Sequence, residues 1–433
     1  MKAERSVFSL AVAVLLSISV WPATAAPAVS DGAVPAVPAA ATAAGVTNDD
    51  CLACHSDPGL KSAAGRSVAV DVEKFKGSIH GQADISCVDC HADLKKVKDF
   101  PHAEKLQSVA CAACHEKESQ LLRASVHGEA TVAKDGLAVG CKDCHGTHDI
   151  RAKDDFESRT FAINLPETCL GCHREKVRNV KGGAFVALYE KSAHYRALEK
   201  SGLTLSANCS NCHGAHDIKG VKDAASKVSR KAIIKTCGQC HVGIQRDYLE
   251  GVHGKDYVKG IKDVPVCTDC HNEHDIRSPL DLESRVYTTK VAAVCSRCHD
   301  DMALARQYGF LPNRMKTYAE SYHGTASKFG EIRVANCASC HGFHDIRDPA
   351  DPKSSIYPAN LPKTCGRCHP GATKHFAEGK IHNVLEPTAD IRDKSSHIVK
   401  TVYIVVISAI IGVFLLFIAA DLFRRAVRRR THE

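Results

Sequence analysis

Apolar and polar positions divide the chain into three stretches. At the start, Lys2 and Arg5 precede a largely apolar run from Val7 to Val20, and the small residues Ala23-Thr24-Ala25 follow. That is the layout of an export signal, assigned to residues 1–26. Residues 27–50 form an Ala/Pro-rich linker, with almost only Ala, Pro, Val and Gly as far as Val46 and no periodicity that could pack. Near the other end, Val402 to Ala420 gives 19 residues without a charge, which at about 1.5 Å per residue is about enough to cross a hydrocarbon core of roughly 30 Å. The run is apolar on every face, which argues against a buried core helix, so residues 398–423 are read as a transmembrane helix. Between linker and span, residues 51–397 show no long apolar periodicity and few aromatics. The expected fold class is mainly irregular with short α-helices and little or no β, the helices lying at repeated cysteine motifs and near Glu116–Arg123 and Met302–Tyr318.

Arg424, Arg425, Arg428, Arg429 and Arg430 follow the span, within residues 424–433. Such a basic cluster stays cytoplasmic, so everything before the span lies outside. Signal and span agree on a single-pass protein of the bacterial cytoplasmic membrane, its large domain in the periplasm and its C-terminus cytoplasmic. The formal net charge of +8 is no argument for nucleic acid. Residues 1–26 carry +1 and residues 398–433 carry +4, leaving +3 for the middle. Eleven copies of the cofactor implied below, each with two propionates against one net positive ferric centre, bring about −11.

All 22 cysteines fall in C-x-x-C-H motifs. These are Cys51 and Cys54, Cys87 and Cys90, Cys111 and Cys114, Cys141 and Cys144, Cys169 and Cys172, Cys209 and Cys212, Cys237 and Cys240, Cys267 and Cys270, Cys295 and Cys298, Cys337 and Cys340, and Cys365 and Cys368. Two thiols at this spacing add across the two vinyl groups of one haem, and the adjacent histidine lies under the iron as proximal ligand. The proximal set is His55, His91, His115, His145, His173, His213, His241, His271, His299, His341 and His369. Zinc ribbons and disulfides also use C-x-x-C, but neither requires a histidine directly after the second cysteine in eleven motifs out of eleven. Eleven covalent haems c are expected.

Of 25 histidines, 14 remain. One falls between each pair of consecutive motifs: His80, His102, His127, His148, His194, His216, His253, His274, His323 and His344. His382 follows the last motif. These eleven are the candidate distal ligands, with His375, His397 and His432 to spare. Methionine is the rival distal ligand, but only Met302 and Met315 lie in this region. Bis-histidine ligation is therefore expected throughout.

The spacing repeats. From His80 to His102, His127 to His148, His194 to His216, His253 to His274 and His323 to His344 is 22, 21, 22, 21 and 21 residues. His-Asp-Ile recurs at His148, His216, His274 and His344, and Ser-Val-His-Gly, Gly-Val-His-Gly and Ser-Tyr-His-Gly open three units. Distances from Cys111, Cys169, Cys237, Cys295 and Cys365 to the next distal candidate alternate 16, 25, 16, 28 and 17. The chain reads as two-haem modules within four-haem super-repeats near 111–236 and 237–364. In Cys-His145-Gly-Thr-His148 the second histidine is too closely tethered to reach the far face of the same iron, so His148, His216, His274 and His344 must serve other haems. The aspartates after them (Asp149, Asp217, Asp275, Asp345) read either as acceptors from the ring nitrogen facing away from iron or as turn residues. With about 32 residues per haem between Cys51 and His397, the haems themselves must form the core, and without them the chain is not expected to fold.

These motifs resemble those of multihaem cytochromes c of the class III and doubled C-x-x-C-H kind over residues 51 to 382. The resemblance implies bis-histidine haems in alternating stacked and perpendicular pairs. With its anchor the chain is also similar to membrane cytochromes of respiratory bacteria that take electrons from the quinol pool, sometimes beside a cytochrome b. The quinol-dehydrogenase branch of that family anchors at its N-terminus, whereas here the anchor is C-terminal. The resulting expectation is an electron-transfer conduit serving anaerobic respiration, linking a membrane quinol-oxidising subunit such as a cytochrome b to periplasmic or outer-membrane redox acceptors, with membrane lipid as a further contact. The alternative is a catalytic oxidoreductase of nitrite reductase or hydroxylamine oxidoreductase type. That requires one open haem, with His102 or His382, whose surroundings depart from the repeat, not binding iron. Related nitrite reductases mark the open haem with a lysine in place of the motif histidine, and no motif here departs from C-x-x-C-H. His397, at the outer mouth of the span, reads as a proton acceptor from quinol, a ligand to a partner's haem, or simply a solvated side chain.

Overall fold

The structure, a computed structural model, describes residues 45–97, 99–130, 139–174, 185–378, 382 and 391–430. The chain divides into two compact units at Gly45 and Val46. The export signal and nearly all of the linker, as well as His432, lie outside the described residues. In the second unit the described residues form short helices joined by turns, and no β-strand occurs among them beyond an isolated antiparallel bridge between Lys61 and Ser67. The mainly irregular, short-helical fold is what the absence of apolar periodicity predicts.

Two boundaries shift for local reasons. Helix Asn48–His55 takes the last three residues assigned to the linker, because Thr47 and Asp50 form a capping box that starts it there. The stretch from Met302 to Tyr318 is two helices, Met302–Tyr308 and Arg314–Ala319. The first stops at Gly309, whose left-handed φ of 73° caps its C-terminus, and Pro312 and Asn313 keep the chain out of helix before the second begins.

Very little apolar side chain is buried. Ile233, Ile234 and Val266 form a small cluster, flanked by Val228, Tyr248, Leu249 and Tyr257. Elsewhere the buried positions are largely polar, led by Ser78, Ser125, Ser158, Ser192, Ser226, Ser284 and Ser354. These serines recur with the repeat. Ser78, Ser125, Ser192 and Ser321 precede distal candidates and accept from helix N–H groups two or three residues on, starting the turns that carry His80, His127, His194 and His323. The glycine after the histidine is sterically required in three of these turns. A Cβ at Gly81, Gly128 or Gly324 would lie 2.0–2.3 Å from a backbone oxygen of the preceding turn.

Helix Ile391–Arg430 runs for 40 residues, about 60 Å at the usual rise. Its segment His397–Arg425, with a mean hydropathy of 3.0 in its most apolar window and no burial, is long and apolar enough to cross a membrane. The helix continues through the arginines into the tail rather than ending with the span.

Candidate haem sites

The motifs are numbered here as sites 1 to 11 along the chain; the even ones share one structural class, five of the six odd ones share another, and site 3 is a short uncapped 3-10 turn at Cys111–Ala113. At the even sites the residue before the second cysteine turns back and accepts from the N–H preceding the first. Asp89 caps Ser86 at 3.0 Å, Asp143 caps Gly140 at 2.7 Å, Asn211 caps Asn208 at 2.9 Å, Asp269 caps Val266 at 2.7 Å and Ser339 caps Asn336 at 3.1 Å. Each even motif is thereby a self-capped single turn. Sites 1, 5, 7, 9 and 11 instead hang from the ends of helices that begin upstream of their motifs, such as Leu165–His173 and Val291–His299. The cue was in the sequence: Asp, Asn or Ser at that position in every even motif, Ala, Gly, Gln or Arg in every odd one.

Every proximal histidine faces one distal candidate, and all eleven pairs have ring centres 6.0–6.3 Å apart. In site order, His55 faces His102, His91 faces His148, His115 faces His80, His145 faces His216 and His173 faces His127. His213 faces His274, His241 faces His194, His271 faces His344, His299 faces His253, His341 faces His382 and His369 faces His323. Two metal–imidazole bonds of about 2.0 Å, with about 1.1 Å from each ligating nitrogen to its ring centre, give roughly 6.2 Å across one metal ion. The donor set therefore fits an iron held between each pair. Among the described residues there is no group of three or more His, Cys, Asp or Glu that could hold another metal, and none of the 22 cysteines is paired in a disulfide.

The pairing is a crossed pattern. Sites 2, 4, 6 and 8 face the second histidine of the C-H-x-x-H turn two motifs downstream. Sites 3, 5, 7, 9 and 11 face the histidine of the serine- or glycine-headed turn upstream. The two kinds of turn are tied together: the Ile carbonyl of each His-Asp-Ile accepts from the N–H just before a distal histidine. Ile79 donates to Ile150 at 2.8 Å, Val126 to Ile218 at 2.9 Å, Ala193 to Ile276 at 2.8 Å and Val252 to Ile346 at 2.7 Å. One hydrogen bond thus fixes the distal candidates of sites 2 and 3 to each other, then those of 4 and 5, 6 and 7, and 8 and 9. The C-H-x-x-H turn needs a left-handed residue directly after the proximal histidine, supplied by Gly146, Gly214 and Gly342 at φ of 84–88° and by Asn272 at 67°.

Ring orientation follows the source of the distal histidine. At sites 2, 4, 6 and 8 the two imidazole planes are within 7–29° of parallel. At sites 3, 5, 7, 9 and 11 they are tilted by 46–56°. Sites 1 and 10 break the rule, at 6° and 45°. They are also the two whose partners, His102 and His382, stand outside the repeat.

Consecutive sites touch in chain order. Cys87 lies against Cys51, Cys141 against Cys111, Cys169 against Cys209, Cys237 against Cys267 and Cys295 against Cys337. Cys90, Cys144, Cys212, Cys270 and Cys340 neighbour the following motif. Burial and the adjacent thiol raise the Cys87 thiol to about 11. Burial lowers most of the facing histidines, His253 furthest, to about 4, so they are held as the neutral imidazoles an iron ligand must be.

Several imidazoles are oriented by their second nitrogen. His55 Nδ1 donates to Val68 O at 2.7 Å, and His102 Nδ1 to Ala103 O at 2.8 Å, which leaves Nε2 for the metal. His382 Nδ1 donates to Thr317 Oγ1 at 2.9 Å, while that hydroxyl donates to Arg314 O at 3.0 Å. Thr317 carried no cue in the sequence. The His-Asp-Ile aspartates bond to turn neighbours and cations instead of rings: Asp217 pairs with Lys227 at 3.2 Å, and Asp275 accepts from Asn272 at 2.7 Å. His375 is exposed, 3.4 Å from Glu378.

Residues 138–351 match the family model for outer membrane cytochromes, MtrC/MtrF-like, domains II/IV, and residues 70–135 match cytochrome c552. The chain is 26% identical over 129 residues to multiheme cytochrome MtrA of Shewanella baltica, covering 30% of this chain and 32% of that one. It is 28% identical over 116 residues to cytochrome c-type protein NrfB of Escherichia coli, covering 26% of this chain and 56% of that one. It therefore spans about a third and just over half of the length of these relatives. No solved structure matches it.

Proposed function

We propose that this chain, a multihaem c-type cytochrome that transfers electrons through covalent haem c, conducts them along eleven bis-histidine sites. The conduit would link a quinol-oxidising partner in the cytoplasmic membrane to periplasmic or outer-membrane acceptors. The observation that carries this reading is the set of eleven histidine pairs at one spacing, one pair per C-x-x-C-H motif. Bound iron supplies a one-electron couple at each site. The chain's own work would be to offer one imidazole to each face of the iron and to keep consecutive motifs side by side. His102 and His382, the two candidates for an open position, stand as close to their partners as the rest.

The chain order of the sites makes site 1 one end and site 11 the other. Glu320, three residues before the site 11 ligand His323, pairs with Lys400 at the head of the apolar helix at 3.7 Å. That supports electron exchange with the membrane partner at the site 10–11 end and with acceptors at site 1, with the arginine-rich end of the helix in the cytoplasm.

Intact mass after signal removal should show eleven haem additions, and the ferric protein should be low-spin throughout. A ligand-exchangeable high-spin haem would instead favour the catalytic oxidoreductase. Co-purification of a membrane quinol oxidase subunit tests the partner.

A further inference from the structure

Three proximal imidazoles carry a phenylalanine ring. Phe185 lies 5.7 Å from His173 at site 5, Phe310 5.1 Å from His299 at site 9, and Phe376 5.0 Å from His369 at site 11, all tilted. Phe185 and Phe310 come from the two long connections, after Cys169 and Cys295. Among the described residues, the 16-residue connections after Cys111 and Cys237 bring no such ring to His115 or His241. The long connections of the four-site period thus add an aromatic cover to one proximal ligand in each super-repeat.

Site 5 differs from the other two. Phe185 also lies 5.1 Å from His274, the distal ring of site 6, so a single side chain packs on ligands of consecutive sites. Beneath it, His173 Nδ1 is buried without a hydrogen-bond partner, unlike His55 Nδ1 on its carbonyl. The ring is held in place: Val186 beside it is buried, and Tyr189, one turn on, donates to Ala207 O at 2.9 Å. An imidazole whose Nδ1–H is accepted by an oxygen becomes more electron-rich and stabilises the higher charge on its metal, and a dry, unpaired one does not.

We propose that Phe185 is a positioning residue that makes site 5 a high-potential station midway along the chain, by keeping water from His173 Nδ1 while bracing the distal ligand of site 6. This rests on reading His173 and His274 as iron ligands. His91 Nδ1 is likewise buried and unpaired but meets no phenylalanine ring among the described residues, so site 2 separates the effect of the missing hydrogen bond from that of the ring.

The test uses the full-length, detergent-extracted holoprotein with Phe185→Ala, Phe185→Val and Phe185→Tyr. Intact mass comes first: fewer than eleven haems in the parent protein would defeat the ligand reading itself, separately from any role of Phe185. With the count intact, optical redox titration should move about one eleventh of the amplitude to lower potential in the Ala and Val variants. The expected change is tenfold or more in that site's oxidation equilibrium, about 59 mV for one electron. Low-temperature EPR should show two ferric signals altered, those of sites 5 and 6, and the Tyr variant should titrate like the parent. Overlaying curves for a fully loaded Ala or Val variant overturn the proposal. If the Ala variant fails to load, the Val variant decides.

Discussion

Sites 2 to 9 and the outlying sites 1 and 10 reach the same spacing between facing rings by different routes. In the interior every distal histidine sits on a repeated turn, and each C-H-x-x-H turn serves two sites at once, with His213 proximal at site 6 and His216 distal at site 4. Each such turn is also bonded to the turn carrying a third site's ligand, here Val126 N–H to Ile218 O at 2.9 Å. At site 1 the distal candidate His102 is held by the carbonyl of its own neighbour Ala103, and at site 10 His382 is held by a threonine side chain. Sharing turns keeps successive sites in register with few residues, at the cost of making their geometries interdependent. At sites 1 and 10 the histidine facing the motif is held outside the repeated turns, so its hold can change alone.

The sharpest way to break that comparison is to remove one distal ligand from each region. In His102→Ala, eleven haems should remain, one site should become high-spin, and the other signals should be unchanged. His216→Ala should disturb sites 4, 5 and 6 together and destabilise the protein by about 3 kcal/mol or more, as loss of a ligand in a shared element does. Thermal unfolding followed at the Soret band, with EPR on the same samples, separates the two outcomes. An equally local effect of both substitutions would dismiss the idea that interior sites are coupled.

A smaller effect is expected from the shared turn's backbone. Gly214 sits at φ 87°, and a Cβ there would lie 2.4 Å from Asp217 Oδ1. Gly214→Ala should cost about 1–3 kcal/mol from the positive-φ extended conformation alone, ψ being 179°, and broaden the signals of sites 4 and 6. Asn272→Gly removes strain at the equivalent position but also the Asn272–Asp275 bond of 2.7 Å and the contact from Arg285. These oppose, and a change within about 0.5 kcal/mol is expected by chemical denaturation.

What the sequence could disclose differs between the same regions. The C-x-x-C-H motifs and one further histidine per motif stand out in the sequence, and the structure brings each of those histidines opposite a motif histidine. The prohibition on His148 ligating its own motif's haem followed from tether length, and the structure pairs it with His91. The remaining partners were not legible, because they depend on which upstream turn the Ile150, Ile218, Ile276 and Ile346 carbonyls accept from, a contact across 71 to 94 residues. The alternation of motif class was legible and missed, since the polar residue before the second cysteine reads as an ordinary solvated side chain until its capping role is seen. Thr317 and Phe185 were beyond reach, one acting across 65 residues on His382 and the other packing against a ring 89 residues away.

At site 10 the hold on His382 can be tested alone. Thr317 is buried and its hydroxyl is the acceptor for His382 Nδ1. Thr317→Val should cost about 1 kcal/mol and alter only the site 10 EPR signal, while Thr317→Ser should leave that signal as it is. Spread to site 8 or 9 would mean that this end shares the interior's coupling after all.

The weakest link is between this end and the apolar helix. Lys400 and Glu320 are partly exposed, and such pairs contribute about 0–1 kcal/mol. Lys400→Ala should therefore leave haem content, spectra and thermal midpoint unchanged in detergent. What it removes is a tether, so its effect should appear only where orientation matters: in membrane vesicles, quinol-driven reduction of the chain should slow by about twofold while dithionite reduction stays the same. Raising salt in vesicles of the parent protein should mimic the variant, since an exposed pair is screened over about a Debye length of 8–10 Å. A salt-insensitive parent with a slowed variant would place the effect in the Lys400 side chain's packing rather than its charge, and would make the helix junction as rigidly built as the interior turns.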